Sequence, residues 1–339
     1  MNVTRPGDRT LLDPHLHGRF TLLSEGRSLC HRISGDGRAA VWSEQTYRGW
    51  EIMLYHDGEV TQLTHDDRFD WSPDISADGH TVSWYREVDD KHYEIVRWHD
   101  GKSDVIASSE LPVAEVRLSR DGETVVYGDG RGTNYNQLHC WHEGRLSAVS
   151  ERPGAVDAEL SADGSRIFWS QYQPGSSGIF MRDENGRVKQ LAVDEPHHER
   201  RIEVDPTGSK VMWSHFDGSE RDLQLMDVDS GNSRTVGKAG VHEFWGSMSA
   251  DGKTVAYARY GPARRDQDLD LHVFLEGPGR SIQVTRGKAV HTAPELSDGG
   301  DVLLWRALPD AQHPAGALYR LELDSTTESG QTAGRPPGG

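Results

Sequence analysis

The decapeptide "ISADGHTVSW", residues 75–84, is spelled again with few changes as "LSADGSRIFW" at 160–169 and "MSADGKTVAY" at 248–257. Fixed-period self-similarity is the mark of repeat architecture, so the period is sought before the fold. With the Asp of Asp-Gly as marker, full copies stand at Asp36, Asp78, Asp121, Asp163 and Asp251, and degenerate ones at Thr207 ("DPTGSKVMW") and Gly299 ("SDGGDVLLW"). The intervals are 42, 43, 42, 44, 44 and 48 residues. Six places after each marker stands an aromatic: Trp42, Trp84, Tyr127, Trp169, Trp213, Tyr257 and Trp305. Seven coincidences in seven copies are not chance.

Each copy reads as four strands. Strand A ends at Ser-x-Asp-Gly, whose Asp-Gly pair predicts a tight hairpin turn into strand B with its aromatic buried. Strand C follows a longer loop, and "HDGE", "HDGK", "HEGR" or "ENGR" turns it into strand D. No stretch carries a helical period over a dozen residues. Four-stranded units of roughly 40–45 residues predict propeller blades. The last copy runs from strand C ("GALYRLEL") into a polar, Gly/Pro-rich tail, while "HGRFTLLSEG" (17–26) imitates the C–D turn and strand D of another blade. The expectation is an all-β chain forming one seven-bladed propeller over 17–324, with the N-terminal strand completing the last blade. That closure removes an unpaired edge. Residues 1–16 and 325–339 read as loose tails.

The spelling S-x-D-G-x-x-Φ-x-W/Y, fullest in "QLTHDDRFDWSPDISADG", resembles the TolB-type propeller repeat, a relative of WD-type repeats. The resemblance covers 17–324 and implies fold more than function. Its families include periplasmic protein-binding partners, propeller caps of serine peptidases and stand-alone metal-dependent sugar lyases. This chain departs from the first in lacking a signal-like N-terminus and from the second in lacking G-x-S-x-G.

The formal net charge of −17 offers no Lys/Arg excess for a nucleic-acid backbone. No apolar run approaches the roughly 20 residues that cross a bilayer, and Cys30 and Cys140 form no C-x-x-C pair. A cytoplasmic protein with neither nucleic-acid nor membrane partners is expected. The short A–B and C–D turns share one face, and the variable D–A and B–C loops share the other. The D–A face is therefore the candidate for binding a small molecule, a basic peptide or a protein segment.

Two sets of positions could carry chemistry there. Four places before the markers stand Arg32, Asp74, Arg117, Glu159, Glu203, Ser247 and Glu295, a charged ring on the innermost strands. It reads either as inter-blade ion pairs or as a solute-binding channel. Six to nine places before them, Asp70, Glu115, Asp157, Glu199 and Glu243 predict an acidic mouth, with Arg201 and Trp245 as further ligand contacts. His198, His242 and His291 recur there in consecutive blades. They read as hydrogen-bonding loop residues, as ligands of Zn, Mn or Fe, or as acid–base groups, with His242 and Glu243 the candidate catalytic pair. Two functions follow: a binding scaffold, or a metal-dependent lyase or related small-molecule enzyme.

Overall fold

The computed structural model describes residues 12, 16–131, 136–150, 152–172, 177–193, 200–216, 221–237, 241–260, 271–277, 280–286, 290–308 and 316–324. Seven antiparallel four-stranded sheets follow one another, and each holds one copy of the repeat. Six blades take their strands in chain order. The seventh is built from Val290–Leu296, Val302–Leu308 and Ala317–Leu323, with Gly18–Ser24 as its outer strand. Gly18 pairs with Leu323 and Leu22 with Tyr319, so the two ends of the chain close the ring. Phe20 stacks on Tyr319 at 5.0 Å and meets Trp305 at 5.9 Å, packing the closing strand by burial as well as by ladder hydrogen bonds. Leu12 is also buried and bridges to Thr285 in blade six. Among the described residues there are only strands and turns, and no helix is long and apolar enough to cross a membrane.

The repeated aromatics form the spine of the core; Trp42, Trp84, Trp305 and Tyr257 are wholly enclosed. The repeated Ser and Asp explain why each hairpin forms. In blade two, Ser76 Oγ donates to Asp78 Oδ1 at 2.6 Å and accepts from Thr81 N at 2.9 Å, while Asp78 Oδ1 accepts from His80 N at 3.0 Å. Blades one, three, four and six repeat this set, and Asp205 supplies it in blade five. The A–B turn is wider than the two-residue hairpin the sequence suggests. Ser76 N bonds Thr81 O, Gly79 N bonds Ser76 O, and Gly79 alone takes a positive φ of 77°. Two-residue turns occur instead between strands C and D, where Asp57-Gly58, Asp100-Gly101 and Glu143-Gly144 all take positive φ, as a type I′ turn requires.

Candidate functional site

Strand A is the innermost strand, and its two ends are built differently. At the A–B end, backbone bonds run from blade to blade: Asp36 N to Ala77 O, Ala77 N to Arg120 O, Asp121 N to Ala162 O, and Asp298 N to Gly35 O. Across this ring the Arg120 guanidinium meets the Asp298 carboxylate.

At the other end every strand A breaks register once. The breaks fall at Leu29/Arg32, Trp71/Asp74, Val113/Glu115, Val156/Glu159, Arg200/Glu203, Phe244/Ser247 and Thr292/Glu295. Six blades place a non-glycine residue in the left-handed region there, all six positions before the marker. These are Cys30, Ser72, Asp157, Arg201, Trp245 and Ala293, with φ of 50–56°. One extra residue in a strand reverses which face its side chains take. Residues eight places before the marker therefore face oppositely to those four places before it.

This reversal decides where the predicted site residues go. Asp70 is fully buried, accepting from Trp84 Nε1 at 2.6 Å and from Arg86 Nε at 2.9 Å. His291 is fully buried, its Nδ1 accepting from Trp305 Nε1 at 3.2 Å. Glu243 is likewise enclosed. His242 is half-buried; its Nδ1 accepts from Arg221 N at 3.2 Å and its ring lies against Phe244. Trp245, half-buried at its bulge, also packs on Phe244. Glu115 accepts from Ala158 N at 3.2 Å, and Asp157 from Arg201 N at 3.1 Å, so both tie adjacent blades together. His198 and Glu199 lie outside the described residues, as do 261–270 and 309–315 in the long loops of blades six and seven. Among the described residues no group of three or more His, Cys, Asp or Glu side chains is arranged to hold a metal ion. The described part of the predicted triad, His242 and His291, is not by itself a ligand set.

The bulges build a cavity of about 300 Å³ at the channel mouth. Five of the six left-handed residues line it: Cys30, Ser72, Asp157, Arg201 and Ala293. The charged side chains of its wall are Arg32, Arg117, Arg201, Arg306 and Asp157, with His31 beside them. His31 Nε2 lies 2.6 Å from Ala293 O, and burial pushes its pKa down to about 4, so the ring is neutral. Burial also lowers the pKa of Arg201 and Arg306. The Cys30 thiol is open to the cavity, and its surroundings still raise its pKa by desolvation, although Arg117 and Arg32 pull it the other way.

Beneath the cavity the charged ring is a network. Arg32 reaches Glu159 at 2.9 Å and Glu295 at 3.1 Å; Arg117 reaches Glu159 at 3.1 Å; Arg201 reaches down to Glu295 at 3.1 Å. Burial alone would raise Glu295, but Arg32 and Arg201 outweigh it and hold this carboxyl below its ordinary value. Glu115 and Glu203 fare otherwise. Burial pushes Glu115 up to about 7, against the pull of Arg117. Burial, with Glu295 and Glu159 nearby, pushes Glu203 up to about 8. Arg32 and Arg117 were visible as ring positions in the sequence. Arg306, seven places after its marker on strand B, belongs to no pattern and joins them only through the fold.

No family model matches the sequence, and no curated protein matches it. Solved structures do. An oligogalacturonate lyase from Vibrio parahaemolyticus is similar with a TM-score of 0.70 and 13% identity, over 93% of this chain and 96% of that one. TolB from Acinetobacter baumannii is similar with a TM-score of 0.52 and 17% identity, over 84% and 67% respectively. The β-propeller domain of a Pyrococcus furiosus protease, described as having an open velcro topology, gives a TM-score of 0.65 at 10% identity, over 90% and 94%. The fold is a TolB-type seven-bladed propeller. Identities this low establish the fold alone. Within it, this chain has the closed form, because Gly18–Ser24 pairs with Ala317–Leu323.

Proposed function

We propose that the protein is a binding scaffold whose channel-mouth cavity takes a small anionic molecule, with carboxylates the best-matched class. The observation behind this is the cavity wall: four guanidiniums and one carboxylate, in a chain of formal net charge −17. Guanidiniums present paired donors that match a carboxylate in two parallel hydrogen bonds. Walls of low dielectric strengthen that attraction relative to open water. The acidic mouth expected from the sequence suits a basic ligand; the cavity lining favours an anion. The left-handed bulge residues support the same reading, since backbone strain of this kind collects at functional sites.

Calorimetric titration with citrate, galacturonate and digalacturonate, using neutral galactose as control, tests the reading. At least one carboxylate should bind, more weakly with rising salt, and Arg201→Gln should weaken it about tenfold or more, the loss of one charge-assisted hydrogen bond. Binding of galactose with no response to the three acids would overturn it.

A second reading keeps the same cavity. The protein is similar across nearly its whole length to oligogalacturonate lyases, one of them in complex with manganese. An oligogalacturonate is a polyanion that the arginines would suit, which makes a lyase the favoured enzyme alternative. Incubation with oligogalacturonate, with and without added manganese, should then release an unsaturated product visible by ultraviolet absorbance. Unchanged substrate in both arms, beside measurable binding, favours the scaffold.

A further inference from the structure

The channel beneath the cavity holds an unequal number of opposite charges. Four ring positions are carboxylic acids: Asp74, Glu159, Glu203 and Glu295. Two are guanidiniums, Arg32 and Arg117, and the third cation, Arg201, descends from the cavity wall. Glu159 takes Arg32 and Arg117, Glu295 takes Arg32 and Arg201, and Asp74 lies 4.0 Å from Arg32 while accepting from Leu118 N at 2.8 Å. Glu203 forms no ion pair among the described residues; its side-chain partner is Ser247 Oγ at 3.4 Å.

The groups that face Glu203 come from every side of the channel. Glu159 stands on the preceding blade, and the Ser247 hydroxyl on the following one. Glu295 and Arg32 lie across the channel, Arg201 approaches from the cavity wall, and Arg120 stands at the A–B end. These two carboxylates and three guanidiniums oppose one another, and the larger effect is the cost of ionising an acid away from bulk water. Glu203 accordingly holds its proton near neutral pH.

Arg201 joins this ring to the cavity. It sits on a left-handed bulge, its side chain is 34% exposed against 15% for Arg32, and from that bulge it reaches Glu295 in the ring. An anion in the cavity competes with Glu295 for Arg201. Each guanidinium drawn toward the ligand leaves the ring more negative.

Resting on the anion-binding reading, we infer that ligand entry is coupled to a proton: the anion takes Arg201 from Glu295, and the carboxylate ring, through Glu203, keeps or gains a proton as it does. A bound anion weakens the positive field over the ring, which favours protonated acids. An ionised Glu203 adds a negative charge beneath the ligand and competes for the same guanidiniums. The sign follows: binding is tight while Glu203 is protonated and weakens as pH rises through its pKa of about 8.

The test is calorimetry of the full chain with citrate and with digalacturonate, in two buffers of different ionisation enthalpy. Proton uptake should appear near about pH 8, and the affinity should fall about tenfold between about pH 7 and about pH 9, the fall expected for one linked proton. Glu203→Gln, a neutral mimic of the protonated acid, should bind at about pH 9 as the wild type does at about pH 7, without uptake. Should that variant fail to fold, the buffer dependence of the wild type still decides. Failure of both probes to bind overturns the anion reading and the coupling with it. Binding with no proton uptake and no pH dependence overturns the coupling alone.

Discussion

Each strand A has one end that repeats in side chains and one that repeats only in backbone. At the narrow end, Ser, Asp and Gly recur in nearly every blade and make the same hydrogen bonds, as Ser34, Ser119, Ser161 and Ser249 show. At the mouth, six blades share one left-handed bulge, yet its residue is Cys30, Ser72, Asp157, Arg201, Trp245 or Ala293. A repeat that keeps its backbone while varying its side chains gives six equivalent positions, five of which line one cavity. The narrow end holds the blades in register, and the mouth is where one blade differs usefully from the next.

The strongest break of that comparison removes the closure both ends depend on. Deleting residues 1–26 takes away the outer strand of blade seven, Phe20 with its two aromatic contacts, and the buried Leu12. A loss of roughly 5 kcal/mol is expected, since removing one buried aromatic side chain already costs about 3–5. Thermal melts of the truncated and full chains check this, and equal melting temperatures would refute the closure's importance. At the narrow end, Ser76→Ala leaves Thr81 N without its buried acceptor. Chemical denaturation should register a loss of about 1–3 kcal/mol, with anion binding untouched.

At the mouth the sign turns. Ala293→Gly removes no contact-forming side chain beyond a methyl and relieves a left-handed φ of 50°. The variant should gain up to about 1 kcal/mol, the strain relieved exceeding the added freedom of the unfolded chain. A destabilised Ala293→Gly protein would mean the bulge is held by its side chains instead. His242→Ala should change stability least, by about 0.5 kcal/mol, because the site is half-buried and solvent can replace the acceptor lost to Arg221 N. Elemental analysis of that variant and the wild type completes the comparison: a stoichiometric transition metal lost on substitution restores His242 as a ligand, and identical metal content removes it.

The two ends also answer opposite sides of the pH scale. Backbone and side-chain hydrogen bonds near Lys253 hold Asp251 down at about 2, below its ordinary 3.8. Its contribution is present above that ordinary value and lost as pH falls through about 2, so acid should loosen the narrow end. Glu203, raised by burial from 4.5 to about 8, works in reverse. Its protonated form suits the fold, and destabilisation accrues as pH rises from about 4.5 through about 8. Amide exchange near Ser249–Thr254 at low pH, and near Glu203 at high pH, should show the two ends loosening separately. Glu203→Gln should abolish the second effect alone.

The sequence by itself determined the period, the seven blades, the buried aromatic of each and the closing strand, because all of these rest on local chemistry. A turn needs Ser, Asp and Gly at fixed spacing, and a strand needs alternation. Even the charged ring four places before the markers was legible, since that part of strand A is regular as far as its turn. Only the tertiary structure decided which side chains face the mouth. The spacing suggested an acidic, histidine-bearing rim. One extra residue per strand turned Asp70 and His291 onto the tryptophans of their own blades and enclosed Glu243, while Arg201 and Asp157 face the cavity. A bulge of this kind leaves no spelling, because six different residues, Cys30, Ser72, Asp157, Arg201, Trp245 and Ala293, take the same left-handed backbone. The charge of the cavity is likewise a property of the ring: Arg32, Arg117, Arg201 and Arg306 come from blades one, three, five and seven, and closure of the fold alone brings them to one wall.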